Sequence, residues 1–78
     1  MHKKSQVVES LRGVWSSILK MDTVGDDVDF FASGAGSMNV VQLVEEVKDR
    51  AGVAMDNQDV FLNTTFGAFS NAVVKLMR

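Results

Sequence analysis

Ser37 is the residue of this 78-residue sequence whose setting best suits covalent chemistry. It follows the small residues Gly34, Ala35 and Gly36 and stands at the predicted start of a helix, so its hydroxyl is open to approach. A phosphate ester at that position would meet unpaired backbone amides and the positive end of the helix dipole. The setting therefore predicts a serine to which a phosphate-linked group is attached.

Ser37 does not suit nucleophilic catalysis, because a serine hydroxyl needs an adjacent base to activate it. The only histidine is His2, no lysine lies within helical reach of Ser37, and no G-x-S-x-G motif is present. A purely structural interpretation stays open at this point. Serine is among the best N-cap residues, and the glycines before it can serve only to make a turn.

Apolar residues flank Ser37 on both sides. Phe30 and Phe31 are predicted to anchor the loop before it, with at least one ring filling a gap between helices while Asp29 stays in solvent. Burial of one such ring would stabilise the loop by about 1.5 to 3 kcal/mol. Met38 follows Ser37 directly, and is either a core residue that fills a gap or an exposed apolar side chain that docks to another protein.

The middle of the chain is acidic, since residues 22–49 hold seven carboxylates and only one basic residue, Lys48. Nucleic-acid binding needs the opposite sign of charge, so no nucleic-acid partner is expected. The acidic stretch favours a basic protein partner, and a solvated face without a partner is the alternative. Glu45, Glu46 and Asp49 have no predicted pocket, so we interpret them as a solvated helix face and not as a glycosidase-type acid pair.

Composition excludes several classes of protein. The chain has 46% hydrophobic and 23% charged residues and a net charge of −2, as expected of one small folded domain. The absence of cysteine excludes a disulfide framework and a thiolate zinc site, and a single histidine excludes a multi-histidine metal site. No apolar run approaches the roughly 20 residues that cross a bilayer, and residues 1–6 lack a signal peptide's apolar core. We expect an intracellular domain with no membrane segment.

Apolar spacing and glycines predict two long helices joined by a long loop. The first helix is expected over residues 6–20 with Ser5 as its N-cap. The loop, residues 21–36, contains apolar residues that pin it to the core. The second helix is expected from Ser37 to about Arg50, with Gly52 ending it.

Two further helices are predicted in the last third of the chain. A short one is capped by Asp56 or Asn57, and the last one is capped by Thr64 or Thr65. The last helix has an apolar stripe made of Phe66, Phe69, Val73, Leu76 and Met77. The expected fold is therefore all-α, a four-helix bundle with a long loop between helices 1 and 2 and a short helix 3.

The stretch Asp29-Phe30-Phe31-Ala32-Ser33-Gly34-Ala35-Gly36-Ser37-Met38 resembles the attachment motif of phosphopantetheine-dependent acyl carrier domains. In that family, D-F-F, small residues and G-x-S followed by a hydrophobic residue place the modified serine at the head of the second helix. Ser37 matches that serine. Three further stretches are similar to the intermediate carrier domains of 10-formyltetrahydrofolate dehydrogenases: Val14-Trp15-Ser16-Ser17-Ile18-Leu19, Leu43-Val44-Glu45-Glu46-Val47-Lys48 and Thr65-Phe66-Gly67. Two departures are Gly36, where many relatives have histidine, aspartate or alanine, and residues 49–55, which match only loosely.

The resemblance implies a swinging-arm function. A phosphopantetheinyl transferase would move 4′-phosphopantetheine from coenzyme A to Ser37 Oγ, and the arm's thiol would carry an acyl unit as a thioester. In the dehydrogenases that unit is a formyl group, received at a folate-binding hydrolase domain and delivered to an NADP-dependent aldehyde dehydrogenase domain. Residues 1–78 would then be one non-catalytic, monomeric carrier domain of a larger enzyme, in the cytoplasm or alternatively in the mitochondrial matrix.

The arm must enter a partner's tunnel from Ser37, so we expect partner domains to contact the surface around it. Helical spacing predicts that Met38, Gln42, Glu45 and Glu46 form this surface. Two other functions remain as alternatives. One is a carrier domain of a polyketide or nonribosomal-peptide synthase, and the other is a helical interaction module without a prosthetic group. A freestanding hydrolase that uses Ser37 lacks a base.

Overall fold

The computed structural model describes residues 3–77, and His2 therefore lies outside the described residues. Within that range the chain forms four helices and no strand, as the sequence predicted. The helices are α1 (Lys3–Leu19), α2 (Ser37–Ala51), α3 (Asn57–Leu62) and α4 (Phe66–Leu76). In residues 3–77 no helix is long and apolar enough to cross a membrane.

The start of α1 differs from the prediction that Ser5 is its N-cap. The helix already includes Lys3, so Ser5 lies in its first turn. Lysine and glutamine are good helix formers, and neither glycine nor proline stands before the first apolar residue to stop the helix. The helix therefore extends beyond its apolar stripe.

The ends of the other helices agree with local capping signals. Gly52 ends α2 in the left-handed conformation at φ 71°, which favours glycine, and its N–H donates to Lys48 O at 3.0 Å. Asp56 is the N-cap of α3, and Thr65 is the N-cap of α4, where its hydroxyl accepts from Ala68 N at 3.4 Å.

The apolar stripe of α4 is buried over only part of its length. Phe66, Phe69 and Val73 are fully buried, but Leu76 is 47% exposed and Met77 follows the end of the helix. Leu76 continues the spacing of the stripe within α4 but does not belong to the buried core. The last turn of α4 lies at the edge of the bundle, where the stripe has fewer partners to cover it.

Trp15 lies at the centre of the core. Its indole ring is fully buried and packs against rings from the loop and from α4, with centroid distances of 4.7 Å to Phe30, 5.1 Å to Phe66 and 5.3 Å to Phe69. Tilted and edge-to-face pairs of this kind add to the stability that burial supplies. One side chain of α1 thus joins the long loop to α4.

The loop between α1 and α2 is held along its length. Val24 is buried, and its carbonyl accepts a hydrogen bond of 2.6 Å from Arg12, whose guanidinium lies 4.6 Å from the centre of the Phe66 ring. Further along, Asp26 O accepts from Gly67 N at 2.8 Å. A Cβ at position 67 would lie only 3.2 Å from that oxygen, which is a tight contact, so the close approach favours glycine.

Phe30 and Phe31 differ in burial, and this difference predicts a difference in stability. Phe30 is fully buried, so Phe30→Ala should lower the free energy of unfolding by about 3 to 5 kcal/mol. Phe31 is half-buried, so Phe31→Ala should lower it by about 1 to 2 kcal/mol. Urea denaturation followed by circular dichroism measures both.

A loss of this size approaches the whole stability of a small domain. Phe30→Leu, which keeps most of the apolar area, therefore serves as a second variant that remains folded. Losses below about 1 kcal/mol for both alanine variants would show that these rings do not anchor the loop.

Candidate functional site

Ser37 is the first helical residue of α2 and is exposed. The N-cap is Gly36, whose backbone is extended at φ −113° and ψ −176°. The interpretation of Ser37 as the N-cap is therefore wrong. An N-cap hydroxyl has to stand on the extended residue before the helix, and that residue here has no side chain. Ser37 keeps its hydroxyl free for other chemistry.

Asn39 supplies the capping contact that Gly36 lacks. Its Oδ1 accepts from Gly36 N at 2.8 Å, and its own N–H donates to Gly36 O at 3.0 Å. The role of Asn39 was not predicted from the sequence. The available signal was its position three residues after the N-cap, where a side-chain acceptor typically reaches back to the N-cap amide.

The loop before Ser37 is organised by the carboxylate of Asp29. Its Oδ1 accepts from Phe31 N at 3.0 Å and from Ala32 N at 2.9 Å, while Oδ2 accepts from the Thr64 hydroxyl at 2.8 Å. Asp29 remains partly exposed, as expected, but its carboxylate is also held by these hydrogen bonds. It is half-buried, because it turns the loop and joins it to the segment before α4.

Backbone hydrogen bonds continue this turn toward Ser37. Gly34 N donates to Phe31 O at 3.0 Å, and Ala35 N donates to Phe30 O at 3.1 Å. Gly34 has φ 112°, a conformation that side-chain-bearing residues rarely adopt. The buried Phe30 is thus connected through a short ordered turn to the start of α2.

Pairing across the bundle fixes the same segment from the other side. Phe30 N donates to Thr64 O at 2.8 Å, and Phe66 N donates to Val28 O at 3.0 Å, on either side of an antiparallel bridge between Asp29 and Thr65. These bonds hold the loop next to the N-terminus of α4. The segment that leads to Ser37 is therefore anchored by both backbone and side-chain contacts.

One face of α2 points away from the core beside Ser37. Met38 is 80% exposed, so it is not a core residue. Val41, Gln42 and Glu45 are exposed on the same side, opposite the buried positions. Glu46 lies at the edge of this face.

The Glu46 side chain is linked to α1 through Arg50, in addition to its contact with solvent. Its Oε1 accepts from Arg50 Nε at 2.8 Å, and Arg50 Nη1 donates to Ser10 Oγ of α1 at 2.6 Å. The structure therefore brings Met38, Gln42 and Glu45 together, and places Glu46 in the contact between α1 and α2.

Two exposed apolar residues of α3 were not singled out by sequence analysis. Phe61 is 52% exposed and Leu62 is 71% exposed. The Phe61 ring stacks on Phe31 with centroids 5.0 Å apart and planes 5° apart. Local sequence does not show this, because the burial of residues in a six-residue helix depends on what packs against it.

The three hydrogen bonds to Asp29 lower the pKa of its carboxyl group below the ordinary 3.8. The Ala32 amide has the largest effect, followed by the Thr64 hydroxyl, and partial desolvation opposes them. A lowered pKa means that the ionised carboxylate stabilises the fold at pH values above 3.8. This contribution is lost as the pH falls through the lowered pKa of the folded state.

We therefore expect Asp29→Asn to be less stable than the native chain at neutral pH, with a gap that narrows under acidic conditions. Urea denaturation as a function of pH measures the gap. Asp49→Asn, which removes one exposed carboxylate from α2, is the matched control for loss of charge. A gap that stays constant down to pH values well below 3.8 would contradict a role for the ionised form.

Comparison with known proteins places this geometry in context. A family profile described as "Phosphopantetheine attachment site" matches residues 9–73. Cytosolic 10-formyltetrahydrofolate dehydrogenase of Homo sapiens is 47% identical over 72 residues, which covers 90% of this chain and 8% of that protein. Mitochondrial 10-formyltetrahydrofolate dehydrogenase of Mus musculus is 41% identical over 75 residues, covering 94% of this chain and 8% of that protein. The chain thus spans less than a tenth of these relatives' length.

The fold has solved relatives as well. BlmI, a type-II acyl carrier protein from Streptomyces verticillus involved in bleomycin biosynthesis, superposes with a TM-score of 0.83 at 18% identity. The match covers 92% of this chain and 87% of that one. The fold is therefore that of an acyl carrier protein. The residues that the family profile matches include Ser37 with its loop and α2. The chain belongs to the phosphopantetheine attachment site family, as a carrier domain homologous to part of 10-formyltetrahydrofolate dehydrogenase.

Proposed function

We propose that Ser37 Oγ carries 4′-phosphopantetheine and that the domain shuttles a formyl group between two catalytic domains of a larger enzyme. The observation that supports this most is the position of Ser37. It is exposed at the first position of a well-anchored helix, and the capping contact next to it is made by Asn39. When bound, the arm supplies a terminal thiol that holds the acyl unit.

The residues around Ser37 fit such a group. The phosphodiester would lie at the N-terminus of α2, where the helix dipole favours negative charge. Gly34, Ala35 and Gly36 leave little side-chain volume beside the hydroxyl. Residues 37–44 contain no lysine or histidine, so the base that removes the Ser37 proton during attachment has to come from the phosphopantetheinyl transferase.

The formyl cargo is inferred from the dehydrogenase relatives. In a parent of that kind, this domain would receive the unit at a folate-binding hydrolase domain and deliver it to an NADP-dependent aldehyde dehydrogenase domain. Tethering raises the effective concentration of the unit at both sites to about the millimolar range. Since the relatives include cytosolic and mitochondrial proteins, we propose the cytosol or the mitochondrial matrix as its location.

The exposed face of α2 is the proposed docking surface for these partners. Met38 would supply apolar contact area, and Gln42 and Glu45 would lie at its rim. Carboxylates at a rim mainly steer the encounter with a basic partner surface. The isolated domain is proposed to be a monomer. It is also proposed to lack affinity for nucleic acid, because residues 22–49 are strongly acidic.

Attachment at Ser37 gives the first prediction from this proposal. Treatment with coenzyme A and a broad-specificity phosphopantetheinyl transferase should increase the intact mass of the native chain by one phosphopantetheine group. The Ser37→Ala chain should show no increase, because the acceptor oxygen is gone. Ser33→Ala, which removes the neighbouring exposed serine of the loop, is the matched control and should be modified like the native chain.

The outcomes separate the candidate functions. A native chain that is never modified would favour the interaction module without a prosthetic group. An adduct that persists in Ser37→Ala would place the arm on another residue. Modification at Ser37 followed by transfer of acyl units other than formyl would favour a carrier of a polyketide or nonribosomal-peptide synthase.

Charge on α2 gives a second prediction. The double variant Glu45→Lys/Glu46→Lys should slow modification or formyl transfer by about threefold or more at low ionic strength and less at high salt. The two single variants separate an effect on rate from an effect on stability. Glu45→Lys should account for the change in rate, whereas Glu46→Lys should mainly lower stability, because Glu46 pairs with Arg50.

The reactions are stopped at timed intervals at several salt concentrations, and mass spectrometry measures the fraction of chain that is modified or loaded. A folded double variant that transfers at the native rate at low ionic strength would show that recognition does not use this face. The acidic loop around residues 26–29 would then be the next surface to test.

A further inference from the structure

The start of α2 is capped without an N-cap side chain, because the N-cap residue is Gly36. An N-cap residue normally restrains a helix start through its side-chain oxygen. Gly36 has no side chain, and a glycine has more backbone freedom than any other residue. Its extended conformation suits any residue, and a Cβ at this position would meet no atom within 4 Å. Neither conformation nor space therefore requires glycine before Ser37.

Asn39 replaces the missing restraint. It holds Gly36 by the two bonds described above, one from its side chain and one from its backbone. Val40 N also donates to Gly36 O, at 3.3 Å. Ser37 lies between Gly36 and Asn39 in the sequence, within the segment that these hydrogen bonds close into a ring. The backbone of Ser37 is therefore restrained on both sides, although no capping side chain stands in front of its hydroxyl.

We propose that Asn39 is a positioning residue for the modification of Ser37. By holding Gly36, the Asn39 side chain keeps Ser37 Oγ at one place at the head of α2 while the hydroxyl stays free. This inference rests on the proposed function of Ser37. A group transfer depends on near-attack geometry, so a small displacement of the acceptor oxygen lowers the rate even when the two proteins still bind.

The test is steady-state kinetics of a phosphopantetheinyl transferase with coenzyme A and variants of the carrier. Asn39→Ala should lower kcat by about fivefold or more with an unchanged KM for the carrier, because the exposed face of α2 is intact. Asn39→Asp keeps an acceptor oxygen at the same place and should restore kcat. Asn71→Ala, the same substitution at an exposed position of α4, is the matched control and should behave like the native chain.

Amide hydrogen exchange supplies a readout that does not depend on the transferase. In Asn39→Ala, exchange of the Gly36 amide should become faster, whereas that of Gly34, which donates to Phe31 O, should not change. Circular dichroism confirms that the variants are folded. Should Asn39→Ala not fold, Asn39→Leu is used in its place with the same expectations, because leucine has a similar size but no acceptor oxygen.

Three results would overturn the inference. The first is that both kcat and KM of Asn39→Ala are unchanged. The second is that KM rises while kcat is unchanged, which indicates direct contact of Asn39 with the transferase. The third is that the Gly36 amide exchanges at the same rate in the native chain and in Asn39→Ala. Failure of the proposed function itself is recognised separately, because the native chain would then not be modified at all. A modified native chain together with an equally modified Asn39→Ala chain contradicts only the role of Asn39.

Discussion

The contact between Trp15 and Phe30 is the interaction on which the rest of the structure depends. The indole of α1 and the ring from the loop are both fully buried, with centroids 4.7 Å apart, and the two α4 rings pack against the indole. A domain of this size has one small core, so a single aromatic cluster supplies much of its apolar burial. The same cluster that stabilises the bundle also fixes the loop that leads to Ser37.

Hydrogen bonds convert this packing into a defined geometry. Burial of Phe30 holds the loop against the bundle but does not by itself specify its path. The path is specified by Asp29, which accepts from two loop amides and from Thr64, and by the backbone bonds to the segment before α4. Apolar burial therefore supplies most of the stability, and polar contacts supply the specificity.

The sequence was informative where local signals decide the structure. The order of the helices, the start of α2 at Ser37 and its end at Gly52 follow from apolar spacing and capping residues. The resemblance of the Ser37 region to the carrier family was confirmed by the profile match.

Features that depend on distant residues were not predictable in this way. Gly67 lies inside α4, where glycine is a poor helix former, and the reason that favours it there is distant in sequence, because a Cβ would lie 3.2 Å from Asp26 O. The exposure of Leu76 likewise depends on which neighbours are present. The start of α1 and the capping role of Asn39 are local features instead, and they were missed because the predictions followed apolar spacing and N-cap side chains. Phe61 is exposed and stacked on Phe31 because α3 packs only its Val60 side into the core.

Because Trp15 is buried, its intrinsic fluorescence can report on the state of the core without an added label. Trp15 is the only tryptophan in the sequence, so intrinsic fluorescence arises from one emitter. That emitter lies next to Phe30, and any event that pulls the loop from the bundle would admit water to the indole and shift its emission to longer wavelength. Spectroscopy of the unlabelled chain can therefore report whether a binding partner leaves the loop in place or lifts it from the core.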